Sequence, residues 1–153
     1  MSWCASCQTA LAKHEQEYKE INDDSVFVKF KVASKKNEFL IVFTTTPWTL
    51  AFNLAIMANP EFDYVKVKVG NEIWIVAKNL AAQLLGSVLG KKIDIVNEFK
   101  GNKLKGLKYI HPWLDEIKEF NEIKKSHSKT HTVVMSKEYV TMDIGSGLVH
   151  CAP

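Results

Sequence analysis

The sequence predicts a β-rich α+β fold in which a barrel of short strands is decorated by a few helices. Three observations point to it. Apolar residues alternate with lysine in several short stretches, glycine or proline closes many of these stretches, and one stretch of residues has helical spacing. With 153 residues, 46% of them hydrophobic and 24% charged, we expect a single domain over residues 1–153 with its own core.

The strands follow in chain order from alternation and from turn residues. Residues 25–32 alternate and place Val26, Val28, Phe30 and Val32 on one face, and the apolar run 39–44 predicts a buried strand. Residues 53–58 are small and apolar and end near Pro60. Further strands are predicted over 64–69, 73–76, 91–97, 107–112, 132–135 and 139–142.

The helical signal is limited to one stretch. Residues 78–89 place Leu80, Leu84, Leu85 and Val88 on one stripe. Residues 8–20 have partial helix or strand character, and the lysine-rich segment 114–129 predicts an excursion on the surface. No internal repeat or low-complexity tract divides the chain.

Composition narrows the class of protein. No apolar run approaches the ~20 residues that span a bilayer, and no signal peptide is visible, so we expect a soluble, cytoplasmic protein. Three cysteines, an odd number, fit a reducing compartment. All 20 basic residues are lysine, and the net charge of +3 does not by itself indicate nucleic-acid binding. Any phosphate contact must therefore use lysine, hydroxyls or backbone amides.

Four threonines crowd into residues 44–50, directly after the apolar strand. Pro47 has no amide hydrogen, so the strand ladder must break there, and it pushes Thr46 toward an extended conformation. A hydroxyl cluster at a rigid turn can hold a polar ligand or position a water without adding charge. The alternative, favoured for an arbitrary threonine run, is that the hydroxyls bond their own backbone.

Three motifs resemble the editing domain of isoleucyl-tRNA synthetases, which are class I aminoacyl-tRNA synthetases. The first is Thr-Thr-Thr-Pro-Trp-Thr-Leu over residues 44–50, followed by Asn53. The second is Gly-Ser-Gly-Leu-Val-His-Cys-Ala-Pro over 145–153, and the third is Trp-Cys-Ala-Ser-Cys-Gln-Thr-Ala-Leu-Ala over 3–12. In the valine and leucine enzymes an arginine stands where this chain has Thr46, which favours the isoleucine branch. The resemblance implies a closed, mainly β-barrel domain with α-helical additions.

The resemblance also implies a function, hydrolytic proofreading of valine wrongly joined to the tRNA for isoleucine, with valyl-adenylate as a further substrate. We expect Thr44, Thr45, Thr46 and Asn53 to orient the attacking water, the ester carbonyl and the terminal ribose, since no activated protein nucleophile is apparent. For Asn53 the alternative is a cap on the segment that follows it. Editing in the valine or leucine enzymes, or an inactive tRNA-binding insertion, are the alternative functions.

The side-chain pocket is expected to use His150 and Trp48. In the family the histidine that matches His150 lines the amino-acid pocket, whereas Trp48 could equally pack in the core. Gly145 and Gly147 would let the backbone approach a ligand closely. Family members also continue past Ala-Pro to an aspartate that binds the α-amino group. The sequence stops at Pro153, so we expect this piece of a larger enzyme to edit poorly unless it is extended.

No cofactor is expected in this chain. A whole synthetase would use ATP and magnesium, and Cys4 and Cys7 have the spacing of half a zinc site whose other ligands would lie outside the chain. We therefore predict no bound metal here. The expected partners are the 3′ end of the tRNA for isoleucine, its valine moiety and the remainder of the synthetase, with no membrane.

Overall fold

Short strands dominate the structure, a computed structural model that describes residues 1–22, 24–90 and 94–152. The strands are β1 (Trp3–Cys4), β2 (Thr9–Ala10), β3 (Val26–Val32), β4 (Glu38–Thr44), β5 (Ala55–Ala58), β6 (Asp63–Val69), β7 (Glu72–Ala77), β8 (Ile95–Lys100), β9 (Tyr109–Ile110), β10 (Thr132–Met135) and β11 (Leu148–Cys151). The α-helices are α1 (Lys78–Leu89) and α2 (Glu119–Ser126). Short 3-10 turns cover Lys13–Glu15, Pro47–Phe52 and Gly101–Leu104.

Six strands form a closed circuit of pairings in the order β10, β5, β11, β4, β3 and β9. The circuit closes where Lys108, just before β9, bridges Thr132 at the start of β10. The amide of Tyr109 also donates to the carbonyl of His131 at 3.0 Å. The expected barrel decorated with helices is therefore confirmed, and its interior holds apolar side chains such as Phe30, Leu40 and Ile56.

A second sheet branches from the barrel at β4. The first half of β4 pairs with β7, through Glu38 to Leu40, whereas Phe43 in its second half pairs with Val149 of β11. Strands β6 and β8 continue the branch beyond β7. Helix α1 covers it, because Leu84 and Leu85 pack in one cluster with Val65 and Val76. Within the described residues no helix is long and apolar enough to cross a membrane.

Most predicted elements agree with the structure. The strands near 25–32, 39–44, 64–69, 73–76 and 132–135 are confirmed, as is the helix over 78–89 with Leu80, Leu84 and Leu85 buried. The side chain of Val88 lies outside the described part of the chain. The strand predicted over 91–97 occurs later, at Ile95–Lys100, and 91–93 lie outside the described residues. The strand predicted over 107–112 shrinks to Tyr109–Ile110.

One strand prediction was wrong. Residues 139–142 form no strand. Val140 is buried, and its carbonyl accepts a hydrogen bond from the Asn59 side-chain amide at 3.2 Å instead of taking part in a strand ladder. The segment 114–129, predicted as a surface excursion, is mostly exposed and contains helix α2. The helix was not predicted, because only a narrow stripe including Phe120 and Ile123 is apolar among lysines and glutamates.

Candidate functional site

The threonine segment leaves the barrel at the end of β4, where Pro47 opens a 3-10 turn over Pro47–Phe52. Proline suits the first position of such a turn because its missing amide hydrogen would have no partner there. The carbonyl of Thr46 accepts two hydrogen bonds from Thr49, one from its amide at 3.1 Å and one from its hydroxyl at 2.7 Å. The turn therefore folds the Thr49 side chain back over Thr46.

A pocket of about 340 Å³ opens beside this segment. Residues 43–46 line it together with Ile144 and residues 146–150. Tyr139 and Thr141 also line it, and Tyr139 and Ile144 are each 66% exposed, which places apolar surface in contact with solvent next to the hydroxyl cluster. The strand end and the glycine-rich segment, distant in sequence, thus lie side by side because β11 pairs with β4.

Three threonine hydroxyls and one imidazole form a connected network in this region. The hydroxyl oxygens of Thr44 and Thr46 lie 3.3 Å apart, and those of Thr46 and Thr49 lie 3.4 Å apart. Nε2 of His150 lies 3.1 Å from the Thr49 hydroxyl oxygen and 3.4 Å from that of Thr44. The Thr44 oxygen also accepts the amide hydrogen of Thr46 at 3.1 Å. Among the described residues no such bond is recorded for Thr45, although Thr45 lines the pocket.

The hydrogen bonds assign the tautomer of His150. The Thr49 hydroxyl hydrogen is committed to the carbonyl of Thr46, so the Thr49 oxygen can only accept from His150. Nε2 therefore carries the proton, and Nδ1, which is buried and unpartnered among the described residues, keeps a free lone pair. Burial lowers the pKa of His150 below its usual value, which favours the neutral imidazole.

The two glycines are required by packing within the protein. A Cβ on Gly147, whose φ is +74°, would lie 2.3 Å from the Cβ of Ala77, and one on Gly145, at φ +89°, would lie 2.9 Å from the Phe43 side chain. Gly147 lines the pocket directly. Gly145 instead lets the 144–147 turn lie against Phe43, which itself lines the pocket.

Asn53 and Trp48 are not brought into this pocket. Asn53 is fully buried, its side-chain amide donates to the carbonyl of Ala55 at 2.8 Å, and its side-chain carbonyl accepts from the Tyr109 hydroxyl at 2.5 Å. Both ends of its amide are therefore occupied inside the barrel. Trp48 is 71% exposed, so it belongs neither to the core nor to the lining of the pocket.

Thr49 is the network member that sequence reasoning missed. A signal was present, because a threonine three residues after Thr46, with Pro47 between them, is typical of a turn whose hydroxyl bonds back to the preceding carbonyl. The motif alone did not show that the same hydroxyl would meet His150.

Two further histidines, His111 and His131, are buried in an aromatic cluster rather than in the pocket. Their rings stack with centroids 5.4 Å apart, and Phe120 of α2 contacts both. Nε2 of His111 donates to the carbonyl of Leu50, because its Nδ1 accepts an amide hydrogen bond. The cluster therefore supports the far end of the 3-10 turn that begins at Pro47.

Cys4 and Cys7 lie in the hairpin of β1 and β2. The amide of Cys7 donates to Sγ of Cys4 at 3.3 Å, and this bond, with smaller ones from the Cys7 thiol and the Ser6 amide, lowers the pKa of Cys4. A thiolate stabilised by amides is the form that binds zinc. Within the described ranges no group of three or more metal-ligating side chains forms, so a zinc site completed from outside the chain stays a prediction.

No family model matches the chain, but individual proteins do. It is 48% identical over its whole length to the isoleucine--tRNA ligase of Pyrococcus abyssi and 43% identical over 99% of its length to that of Methanocaldococcus jannaschii. In each case it spans 15% of the relative's length.

Solved structures agree on the fold. GlLeuRS-CP1 matches 83% of the chain with a TM-score of 0.61, and the cytosolic leucyl-tRNA synthetase editing domain of P. knowlesi matches 84% with a TM-score of 0.60. The chain covers 52% and 57% of these structures at 15% identity.

The chain has the fold of these solved leucyl-tRNA synthetase editing domains. By its sequence the chain belongs to the isoleucyl-tRNA synthetase family.

Proposed function

We propose that this chain hydrolyses the ester that joins valine to the tRNA for isoleucine, in the cytoplasm and as part of a synthetase. The observation that supports it best is the network of three threonine hydroxyls and neutral His150 beside a pocket of about 340 Å³. The pocket is large enough for a small branched side chain and the sugar next to it, and it offers hydroxyl groups where an ester must be held. Valyl-adenylate, which carries the same acyl group, is a further substrate of this proposal.

A separate hydrolytic site is needed because a synthetic site distinguishes isoleucine from valine only weakly. One methylene in a hydrophobic pocket changes binding by only ~1–3 kcal/mol, a limit for which isoleucine-activating enzymes are the standard example. A synthetic site that accepts isoleucine therefore admits valine. A smaller hydrolytic pocket that excludes isoleucine removes the error.

The hydroxyl hydrogens determine what the network can do. The Thr49 hydrogen is committed to the Thr46 carbonyl, and Nε2–H of His150 is shared between the Thr49 and Thr44 oxygens. If Thr44 donates to Thr46, the exposed Thr46 hydroxyl keeps one hydrogen that can point to an ester oxygen or a water. We therefore assign Thr46 the direct contact with the reacting groups, and Thr44, Thr49 and His150 the role of holding it. Water is the nucleophile, because no base activates these hydroxyls.

Replacing His150 with alanine should remove the wall that excludes isoleucine. The unaltered chain should hydrolyse a valyl ester faster than an isoleucyl ester, and the variant should lose about tenfold or more of this preference, the range set by one methylene. Single-turnover deacylation of tRNA charged with each amino acid measures both rates.

Thr49→Val is the matched control, since it keeps a β-branched side chain but removes the hydroxyl bonded to His150. It should slow both reactions and leave the preference unchanged. Equal rates for the two esters in the unaltered chain would contradict size exclusion, and an unchanged preference in His150→Ala would show that His150 is not the wall.

Removing single hydroxyls should show how much each threonine contributes to deacylation. Thr44→Val and Thr46→Val should each slow deacylation about threefold to tenfold, the effect of ~0.5–1.5 kcal/mol for one neutral hydrogen bond. Thr45→Val should have a smaller effect, because no bond joins Thr45 to the network. Rates are compared for variants with equal melting temperatures, and three equal, negligible effects would assign the cluster a structural role only.

The proposal also specifies which amino acid is removed from the tRNA, namely valine. The isoleucine branch is supported by 40–48% identity to isoleucine--tRNA ligases, and the leucyl enzymes share the fold. A valyl-specific rate supports the isoleucine branch, whereas tRNA binding without hydrolysis of any ester would identify an insertion that is inactive in isolation.

A further inference from the structure

Lysines are distributed unevenly in this chain. Three stretches, 31–37, 101–114 and 123–132, contain nine of the 20 lysines and none of the 17 acidic residues. The rest of the chain holds 11 lysines against 17 acidic residues, a net charge of −6. The net charge of +3 therefore conceals local clusters of lysine, with Glu38 beside Lys35 and with Glu119 and Glu122 in α2 as the nearby carboxylates.

The fold gathers the three stretches at one end of the barrel. Lys31 and Val32 of β3 pair with Ile110 and Tyr109 of β9, and the amide of Ala33 donates to the carbonyl of Lys108 at 2.9 Å. The amide of Tyr109 in turn donates to the carbonyl of His131 at 3.0 Å, which joins the third stretch. We call the surface made by these three stretches the lysine face.

The lysine face is remote from the threonine network along the shared ribbon of β3 and β4. Val26 pairs with Thr44 at one end of this ribbon, and Ala33 follows seven residues later at the other. At about 3.4 Å per residue the two regions lie roughly 20 Å apart along β3. The lysine face therefore belongs to a different site from the ester pocket.

A pocket of about 380 Å³ lies in the lysine face. Lys108 and Lys124 line it together with the hydroxyl-bearing residues Ser128 and Thr130. Over residues 1–22, 24–90 and 94–152, neither lysine forms an ion pair, whereas Lys29, Lys66 and Lys78 all do. Burial, and secondly the charge of Lys108, lower the pKa of Lys124, so the two ammonium groups repel each other as they stand.

We propose that the pocket of Lys108, Lys124, Ser128 and Thr130 binds a phosphate of an RNA backbone, with the lysine face steering the RNA toward it. A phosphate would relieve the repulsion between the two ammonium groups, and its oxygens would accept from ammonium and hydroxyl groups alike. Lysine recognises phosphate as a point charge, so this contact sets position and orientation but reads no base.

This inference rests on the proposed function, because a chain that acts on charged tRNA must hold the RNA as well as the ester. It goes beyond it by assigning a second contact, roughly 20 Å from the hydroxyl network along β3. The RNA would then reach the ester pocket from the lysine face.

The test is the double variant Lys108→Met/Lys124→Met, measured by fluorescence anisotropy with an uncharged RNA hairpin that has a single-stranded 3′ end. Binding should weaken about tenfold or more, and the slope of log K against log salt should fall by roughly 1 to 2, as expected for two lost phosphate contacts. The matched control is Lys68→Met/Lys78→Met, which removes the same charge from β6 and α1. It should leave both quantities nearly unchanged.

Further measurements separate this inference from the ester pocket. Hydrolysis of a valyl ester of adenosine alone, which is too small to span both regions, should be unaffected by the lysine changes. Equal weakening in the two double variants would overturn the site in favour of general attraction. Competition by inorganic phosphate as strong as that by RNA would overturn the RNA assignment in favour of a site for free phosphate. If the Lys108→Met/Lys124→Met variant loses RNA binding and the unaltered chain hydrolyses no ester, the result would support this inference and contradict the proposed function.

Discussion

Lowering the pH from 6.5 to 4 should reduce the free energy of unfolding by up to about 3 kcal/mol, because His131 is buried in its neutral form. Burial, with smaller contributions from the charges of Lys124 and His111, lowers the pKa of His131 from 6.5 to about 4. The unfolded chain therefore takes up a proton at a higher pH than the folded chain does. Stability from this group is complete above pH 6.5 and is lost as the pH falls toward 4. The pKa of His111 is lowered in the same direction, mainly by burial.

Urea unfolding at pH 7.0 and 4.5 measures the effect, and the comparison that isolates it is His131→Phe. The phenylalanine cannot be protonated, so this variant should lose less stability between the two pH values. At pH 7 it should be less stable than the unaltered chain, because the backbone carbonyl of Asn53 loses its hydrogen-bond donor. Replacing the exposed His14 with glutamine should leave the pH dependence as it was. The same loss in His131→Phe as in the unaltered chain would show that other groups cause the acid effect.

Gly147→Ala should destabilise the chain by about 2–5 kcal/mol. The left-handed backbone costs a non-glycine residue ~1–2 kcal/mol, and inserting a methyl group into a packed contact costs ~1–3 kcal/mol more. Here the new Cβ would lie 2.3 Å from the Cβ of Ala77, and two hydrogen bonds hold the backbone in place. The Ser146 carbonyl accepts from the Ala77 amide at 2.8 Å, and the Gly147 carbonyl accepts from the Tyr64 hydroxyl at 2.7 Å.

Thermal and urea unfolding compare this variant with Gly86→Ala in α1. No described atom lies within 4 Å of a Cβ at Gly86, so that change should stabilise the helix by up to about 1 kcal/mol. A neutral effect of Gly147→Ala would mean that the 144–147 turn moves away from β7 without loss. In that case the pocket wall would be adaptable rather than fixed.

The sequence predicted strands well where apolar residues alternate with lysine, as in β3 of the barrel and β6 of the second sheet. It predicted poorly wherever long-range contacts decide the conformation. The Val140 carbonyl accepts from the Asn59 side-chain amide and joins no strand ladder, and the bulge between Lys66 and Val67 interrupts the pairing of β6 with β8. Neither effect leaves a periodic trace in the sequence.

The candidate site, too, was predicted in part. The threonine segment and His150 could be predicted to meet because their motifs resemble one family, and the structure places Thr44 and His150 3.4 Å apart at their polar atoms. The sequence did not predict the role of each residue, because each role depends on the direction in which the side chain points. Asn53 points into the barrel toward Tyr109, and Thr49 points back toward His150, and residue type alone fixes neither direction.

The division of one β4 edge between β7 and β11 has a consequence for how the domain forms during synthesis on the ribosome. Strand β4 is made early, yet the second half of that edge has no partner until Val149 emerges. Until then Phe43 and Thr44 can pair only with β3, on the opposite edge. The barrel and the His150 side of the pocket are therefore completed together, by the same late strand.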